Sequence, residues 1–361
     1  MTKVLTSGPP KDGNHFEDFH FGQRLRHATP RTVCEGDQSL YIALTGARQP
    51  IFSSRPLSVA LGYRDRPIDD WLVFNIAFGK TVPDISANAI ANLGYADVRF
   101  LEPVYAGDTL SAISEVIGIR ETSGGASGVV YVHSTAYNQD NRPVLSWIRW
   151  VLVRKRDAAA QVEASAVPDL PSAVEVGNLM VPPITVDAEA FALASGSVRF
   201  WDDYAAGYRI DHSAGMTLDE SDHTLATKLY QNNAKVHFDA LAMAQTPHGR
   251  RLIYGGHVIS VCRALAYEGL ENIVSTLAIN GGAHRAPTFA GDTLYCFSQI
   301  LEKIELSDRS DAGALRLRLV GIRNNPAAGF SDRIVVDGKE RFHPDVVLDL
   351  DYTVLVAKAA Q

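Results

Sequence analysis

The chain has 361 residues, 46% hydrophobic and 21% charged, with 41 acidic against 34 basic residues and a formal net charge of −7. That balance, without any basic tract, argues against nucleic acid or an anionic membrane as the main partner, and the length suffices for two cores of ordinary domain size. Three unclustered cysteines, Cys34, Cys262 and Cys296, provide neither a disulfide framework nor a cysteine zinc site and point to a reducing compartment. In chain order, residues 1–15 carry Gly8-Pro9-Pro10 and Asp12-Gly13 and read as a loose arm. The first residues lack the apolar core of a signal peptide, and no stretch approaches the roughly eighteen apolar residues of a membrane span, so the expected location is cytoplasmic.

A long-period repeat follows. Phe16, Asp18, Gly22 and Arg24 reappear as Trp201, Asp203, Gly207 and Arg209, an offset of 185 (207 − 22). Thr32, Glu35 and Asp37 match Thr217, Glu220 and Asp222 at the same offset, which also sets Phe52 against His237. The Pro-x-x-Ala-Gly-Asp-Thr-Leu run at 103–110 returns at 287–294, now 184 residues on. The last strand-like runs, 144–153 and 347–356, lie 203 apart, so the second copy carries an insertion, expected between Arg323 and Pro344. This predicts a duplicated domain: one unit over 16–157, a Pro- and Ala-rich linker over 158–195, and a second unit over 196–361. Each copy reads as a helix (36–45 and 221–230), a second helix and then β-rich runs, in the first copy 110–119, 129–136 and 144–153. Helices first and meandering strands after imply an α+β fold with a long helix packed on an antiparallel sheet. Gly107-Asp108 and Gly291-Asp292 read as turns between paired strands, and Trp147 and Trp150 as packing residues.

The chemistry-bearing stretch is Lys228 to Asp239 with Tyr254-Gly255-Gly256-His257 after it. It brings amides, an imidazole and a carboxylate close to two glycines that open an apolar helical run. Free N–H groups at a helix N-terminus can hold a developing oxyanion, and a histidine alongside can move a proton. A zinc site from His237, His248 and His257 lacks metalloenzyme spacing, and the glycine pairs 124–125 and 281–282 form no phosphate-binding fingerprint.

These segments resemble the MaoC-like, (R)-specific enoyl-CoA hydratases of the hotdog fold, whose motif S-G-D-x-N-P-I-H-x-D precedes a helix start of the form H-G-M-L by some twenty residues. His237, Asp239 and Gly256 match. Asn232 stands where the family has its catalytic aspartate, and Ala234-Lys235 replace Asn-Pro. The first copy keeps Gly46 and Pro50 but lacks both acid and histidine, and Phe74-Asn75 are set against Gly255-Gly256. The likeness covers nearly the whole chain as a tandem (double) hotdog with one working site. Within the family, the length and the Tyr230–His237 variant are most similar to the members that hydrate mesaconyl-CoA (2-methylfumaryl-CoA) to β-methylmalyl-CoA.

The resemblance implies a hydro-lyase acting on an acyl-CoA, without metal or redox cofactor, and subunits that pair as homodimers. It casts His237 as base and Gly256 N–H as oxyanion donor. Asn232, which cannot take a proton, would orient water. Asp239 or His257 would supply any second acid/base, although Asp239 has the alternative of capping its helix. Tyr254, Gly255 and Asn233 would border the substrate. A dicarboxylic acyl chain needs a buried cation at its far end, and Arg48, in the first copy's counterpart of the catalytic loop, is the expected one. A hotdog thioesterase and a non-catalytic acyl-CoA-binding module are the alternatives.

Overall fold

The computed structural model describes residues 12–163 and 165–360; the expected arm therefore lies, up to residue 11, outside the described part. The first copy runs β1 (Arg24–Arg26), β2 (Arg31–Thr32), α1 (Glu35–Thr45), α2 (Pro50–Ser53), α3 (Arg55–Ala60), α4 (Asp70–Ile85), β3 (Ala89–Phe100), β4 (Thr109–Glu121), β5 (Ser127–Tyr137) and β6 (Pro143–Arg154). The segment expected as a linker contains α5 (Ala188–Ser195). The second copy repeats the order with β7 (Arg209–Asp211), β8 (Met216–Thr217), α6 (Glu220–Leu229), α7 (Lys235–Phe238), α8 (Ala240–Met243), α9 (Gly255–Leu265), β9 (Ile273–His284), β10 (Thr293–Ile304) and β11 (Ala312–Arg323). A hairpin, β12 (Arg333–Val336) and β13 (Lys339–Phe342), occupies the place of the expected insertion, and β14 (Val346–Ala357) closes the chain.

Local chemistry explains the boundaries that matter. The α1 helix starts where the Asp37 carboxylate accepts the Cys34 N–H, and stops at Gly46, whose φ of +70° suits a residue without a Cβ. Asp69 caps α4 by accepting the Trp71 N–H at 2.9 Å. From Leu145 onward β6 alternates, with Leu145, Trp147, Arg149, Val151 and Val153 buried on one face, as a sheet covered by a helix requires.

The two copies share one antiparallel sheet, ordered β1-β4-β5-β6-β3-β9-β14-β11-β10-β7. The join is β3 with β9, where Tyr95 faces Gly282 and Val98 faces Ile279. At the repeat offset of 184, Ile279 and Gly282 are the counterparts of Tyr95 and Val98, so this pairing is a local twofold, as in an isologous dimer interface. The α4 and α9 helices cross over it, and the Asn75 amide donates to Ser260 Oγ at 2.9 Å, two residues that are themselves counterparts. One hydrophobic core continues across the join, from Trp71, Phe74 and Phe78 to Tyr254, Ile259 and Leu348.

Two sequence expectations need correction. The Gly107-Asp108 and Gly291-Asp292 turns are present, with glycine φ of +98° and +91°, but do not join paired strands. The long strand before each turn sits at the central join, so the turn docks on the preceding β-bridge region instead, Gly107 N–H reaching Val33 O. Second, α4 and α9 both start 185 residues apart, at Asp70 and Gly255, so Asp70-Trp71, not Phe74-Asn75, stand opposite Gly255-Gly256. Among the described residues no helix is long and apolar enough to cross a membrane.

Candidate active site at the start of the second central helix

His237 lies on the short helix α7, just ahead of α9. Its Nδ1 is 2.9 Å from Leu252 O. A carbonyl can only accept, so Nδ1 carries the proton and Nε2 keeps its lone pair. Burial is the main cause that pushes the His237 pKa down to about 4, helped by the neighbouring His223 and His284, so the ring is neutral at ordinary pH. His223 on α6 fixes the backbone beneath it, its Nε2 donating to His237 O at 3.1 Å.

Asn232 is only 2% exposed, and its Oδ1 accepts the Ala234 N–H at 3.1 Å, which leaves the amide NH₂ as its free end. Tyr254 packs edge-on against His237, with ring centroids 5.5 Å apart, and also meets Tyr230 at 5.8 Å and Phe78 at 6.1 Å. Its buried hydroxyl finds no hydrogen-bond partner among the described residues.

Directly after Tyr254, α9 begins. Its first intrahelical donors are His257 and Val258, both to Tyr254 O, so the N–H groups of Gly255 and Gly256 have no backbone partner among the described residues. Neither position has room for a side chain. A Cβ on Gly255 would come within 2.4 Å of His284 Nε2, and one on Gly256 within 2.0 Å of Asn75 Oδ1. Two unpaired donors at the positive end of a helix dipole can stabilise negative charge on a thioester oxygen.

The wall facing this helix start comes from the sheet join. His284, at the end of β9, is 3.3 Å from the Tyr95 hydroxyl of β3, and burial lowers its pKa to about 4. Tyr95 in turn packs on Phe78 at 5.9 Å, so the first copy supplies one side of the cleft.

Other expected site residues fall elsewhere. Asp239 is exposed and caps α8, accepting the Ala242 N–H at 2.9 Å, the structural alternative weighed for it above. His257 is buried against Tyr230 on the side of α9 turned to α6, with its pKa driven to about 3 by burial. Asn233 is exposed. Arg48 is the clearest correction: its guanidinium is more than half exposed, 3.6 Å from Glu268 and stacked over Tyr267. Those partners lie past the C-terminal end of α9, some eleven residues or about 16 Å from its start. The local twofold carries the degenerate loop to the opposite end of the helix pair, away from His237. His248 is exposed and packs on Phe289, and among the described residues no group of three or more His, Cys, Asp or Glu side chains is placed to hold a metal ion.

Known proteins match this arrangement over its whole length. A sequence profile described as mesaconyl-CoA hydratase matches residues 4–335. The chain belongs to the mesaconyl-CoA hydratase family. It is 51% identical to the β-methylmalyl-CoA dehydratase of Chloroflexus aurantiacus, covering 98% of this chain and 99% of that one. It is 49% identical to a mesaconyl-CoA hydratase of Cereibacter sphaeroides, with 96% and 98% coverage. The crystal structure of a MaoC-domain dehydratase from Chloroflexus aurantiacus superposes with a TM-score of 0.93 at 50% identity, covering 99% and 100% of the two chains. A double-hotdog protein from Mycobacterium tuberculosis superposes at 0.76 with 26% identity over 95% and 98%. The tandem hotdog and the membership inferred from His237, Asp239 and Gly256 are thus both borne out.

Sequence reading missed His223, His284 and Tyr95. A signal for the histidines was available in the repeat: at positions equivalent to His223, His237, His257 and His284 the first copy has Gln38, Phe52, Leu72 and Phe100.

Proposed function

We propose that this chain is a hydro-lyase that adds water reversibly across the double bond of mesaconyl-CoA to give β-methylmalyl-CoA. The observation that carries this reading is the neutral His237, its Nδ1–H committed to Leu252 O and its Nε2 lone pair free, next to two unpaired helix-start amides. The relatives named above bear the names of the two directions of this one reaction.

In the hydration direction His237 Nε2 removes a proton from water while the water oxygen bonds to the β-carbon. The π electrons move through the α-carbon onto the thioester oxygen, forming an enolate that the Gly255 and Gly256 N–H groups hold. The imidazolium then returns a proton to the α-carbon and the carbonyl re-forms, so one H and one OH have been added. Asn232 takes no proton in this scheme; its NH₂ end holds the attacking water by the oxygen, with Oδ1 tied to Ala234. A single imidazole serving both transfers makes an aspartate at 232 dispensable. The steps are complete without a metal or redox cofactor.

The test is a panel of enoyl-CoA esters, straight-chain, methyl-branched and carboxylated, followed by loss of the enoyl-thioester absorbance with a thiol-reactive dye in parallel. Absorbance loss with mesaconyl-CoA and no free thiol is the expected result. Released CoA thiol would mean a thioesterase, and no change with any ester a binding module.

A further inference from the structure

Arg149 is a fully buried cation without a counter-ion among the described residues. It points inward from β6, is 0% exposed, and takes part in no ion pair among the described residues. Its two terminal nitrogens donate only to hydroxyls, NH2 to Thr81 Oγ1 at 2.8 Å and NH1 to Ser86 Oγ at 3.3 Å, while Nε has no partner. Stacking on Phe78 at 4.2 Å satisfies the guanidinium face but supplies no negative charge. Burial lowers its pKa to about 10, which keeps it charged at neutral pH, and the groups that pull the other way are the phenols of Tyr95 and Tyr254 rather than any carboxylate.

Leaving a charge unpaired inside a protein is costly, and a guanidinium in that state is most stable when a carboxylate arrives. A chain of contacts connects Arg149 to the residues around His237. Tyr95 is its direct cross-strand partner and contacts His284; Phe78, beneath its guanidinium, packs on Tyr254, which packs on His237. Two further buried polar groups here are unpartnered, the Tyr254 hydroxyl and the Asn92 amide, which sits next along β3 opposite Val151. The other buried cations have polar or acidic groups nearby. Lys80 donates to Thr29 O and Gln231 Oε1, and Lys155 pairs with Glu121; Arg263 also leaves Nε and Nη1 without a hydrogen-bond partner, but the buried carboxyls of Asp69 and Asp70 lie close enough to feel its charge. Between the closing strands of the two copies, 203 residues apart, the counterpart of Arg149 is Tyr352, so the first copy supplies this cation and the second copy has none at the equivalent place.

We propose that Arg149, approached past Tyr95 and Tyr254, receives the free carboxylate of the dicarboxylyl-CoA substrate and sets the selectivity of the site for a carboxylated over an apolar acyl chain. This deepens the reading of the site as a mesaconyl-CoA hydratase and rests on it. Mesaconyl-CoA and 2-methylcrotonyl-CoA differ only in a carboxylate against a methyl group, so their kcat/KM ratio isolates the contribution of the cation.

The experiment measures that ratio for wild type, Arg149→Met and Arg149→Lys, together with wild-type binding of methylsuccinyl-CoA and 2-methylbutyryl-CoA. The expected result is a loss of about 10²-fold or more in kcat/KM for mesaconyl-CoA in Arg149→Met, carried mainly by KM, with 2-methylcrotonyl-CoA turnover unchanged or raised and Arg149→Lys in between. Equal losses on both esters, or none, would overturn the assignment. Should Arg149→Met fail to fold, the wild-type binding pair decides: at least tenfold tighter binding of the carboxylated analogue supports a buried cation as reader, and equal affinity rejects it. Wild type that leaves mesaconyl-CoA unchanged would instead defeat the functional reading itself.

Discussion

The two ends of the crossed helix pair are built on one backbone plan and filled with opposite chemistry. At the working end the helix start is Tyr254-Gly255-Gly256, with His237, Asn232 and His284 around it; at the other end the same places hold Asp69-Asp70-Trp71, Phe52, Ala47 and Phe100. Even the supporting hydrogen bond survives, Gln38 Nε2 donating to Phe52 O at 3.1 Å where His223 donates to His237 O. Yet Trp71, 1% exposed and wedged between Phe100 and Tyr352, stands where the working half has Gly256. Asp70 also places a carboxyl where the working half has a bare amide, and burial raises its pKa to about 8. On the proposed reading, duplication leaves one half as wall, with Phe78 and Tyr95 packed against Tyr254 and His284 of the other.

The comparison can be broken most severely at His237. His237→Ala should lower kcat by about 10³-fold, within the usual range for loss of a general base, and adding Phe52→His should restore nothing because Trp71 and Asp70 still fill that end. Steady-state turnover of mesaconyl-CoA checks both; rescue by Phe52→His would mean the first copy is not blind. A smaller loss, about 10²-fold, is expected for Gly255→Ala, whose Cβ would drive against His284, with thermal stability read alongside to separate a local from a global effect.

Trp71→Ala inverts the pattern. It should cost about 3–5 kcal/mol of stability by emptying a core site, visible in urea unfolding, while the kcat of the remaining folded protein stays near wild type.

The histidines sharpen the contrast through pH. His237 and His284 titrate near 4 in the folded chain, so the acid limb of kcat/KM should fall near pH 4 rather than at the ordinary histidine value of about 6.5. Stability follows the same groups: between about pH 6.5 and 4 the unfolded chain binds protons that the folded chain refuses, so their contribution, present above 6.5, is lost as pH falls through that window. Asp70 has the opposite sign. Its folded pKa of about 8 lies above the unfolded value, so its contribution is lost as pH rises toward 8, and Asp70→Asn should gain stability relative to wild type over that rise. Melting curves at several pH values would show this effect.

Much of this was legible before any coordinates, for identifiable reasons. The duplication shows because turn and strand-end residues such as Gly22/Gly207 and Gly107/Gly291 meet backbone demands that side-chain drift cannot relax. His237 and the glycine helix start are local, carried by one short stretch. Strand order was not legible: alternation marks β3 and β9 as strands but cannot say that they pair with each other across the two copies. Residues that depend on that pairing, Tyr95, His284 and Arg149, are brought together from strands far apart in sequence. Arg48 was misplaced for the same reason, since only the twofold reveals that the two equivalent loops lie at opposite helix ends.

The most direct measurement is turnover of mesaconyl-CoA by purified wild type and by folded His237→Ala, with the product identified by its gain of one water mass. The account predicts β-methylmalyl-CoA from wild type and a rate about 10³-fold lower from the variant. Undiminished hydration by protein lacking that imidazole would contradict it.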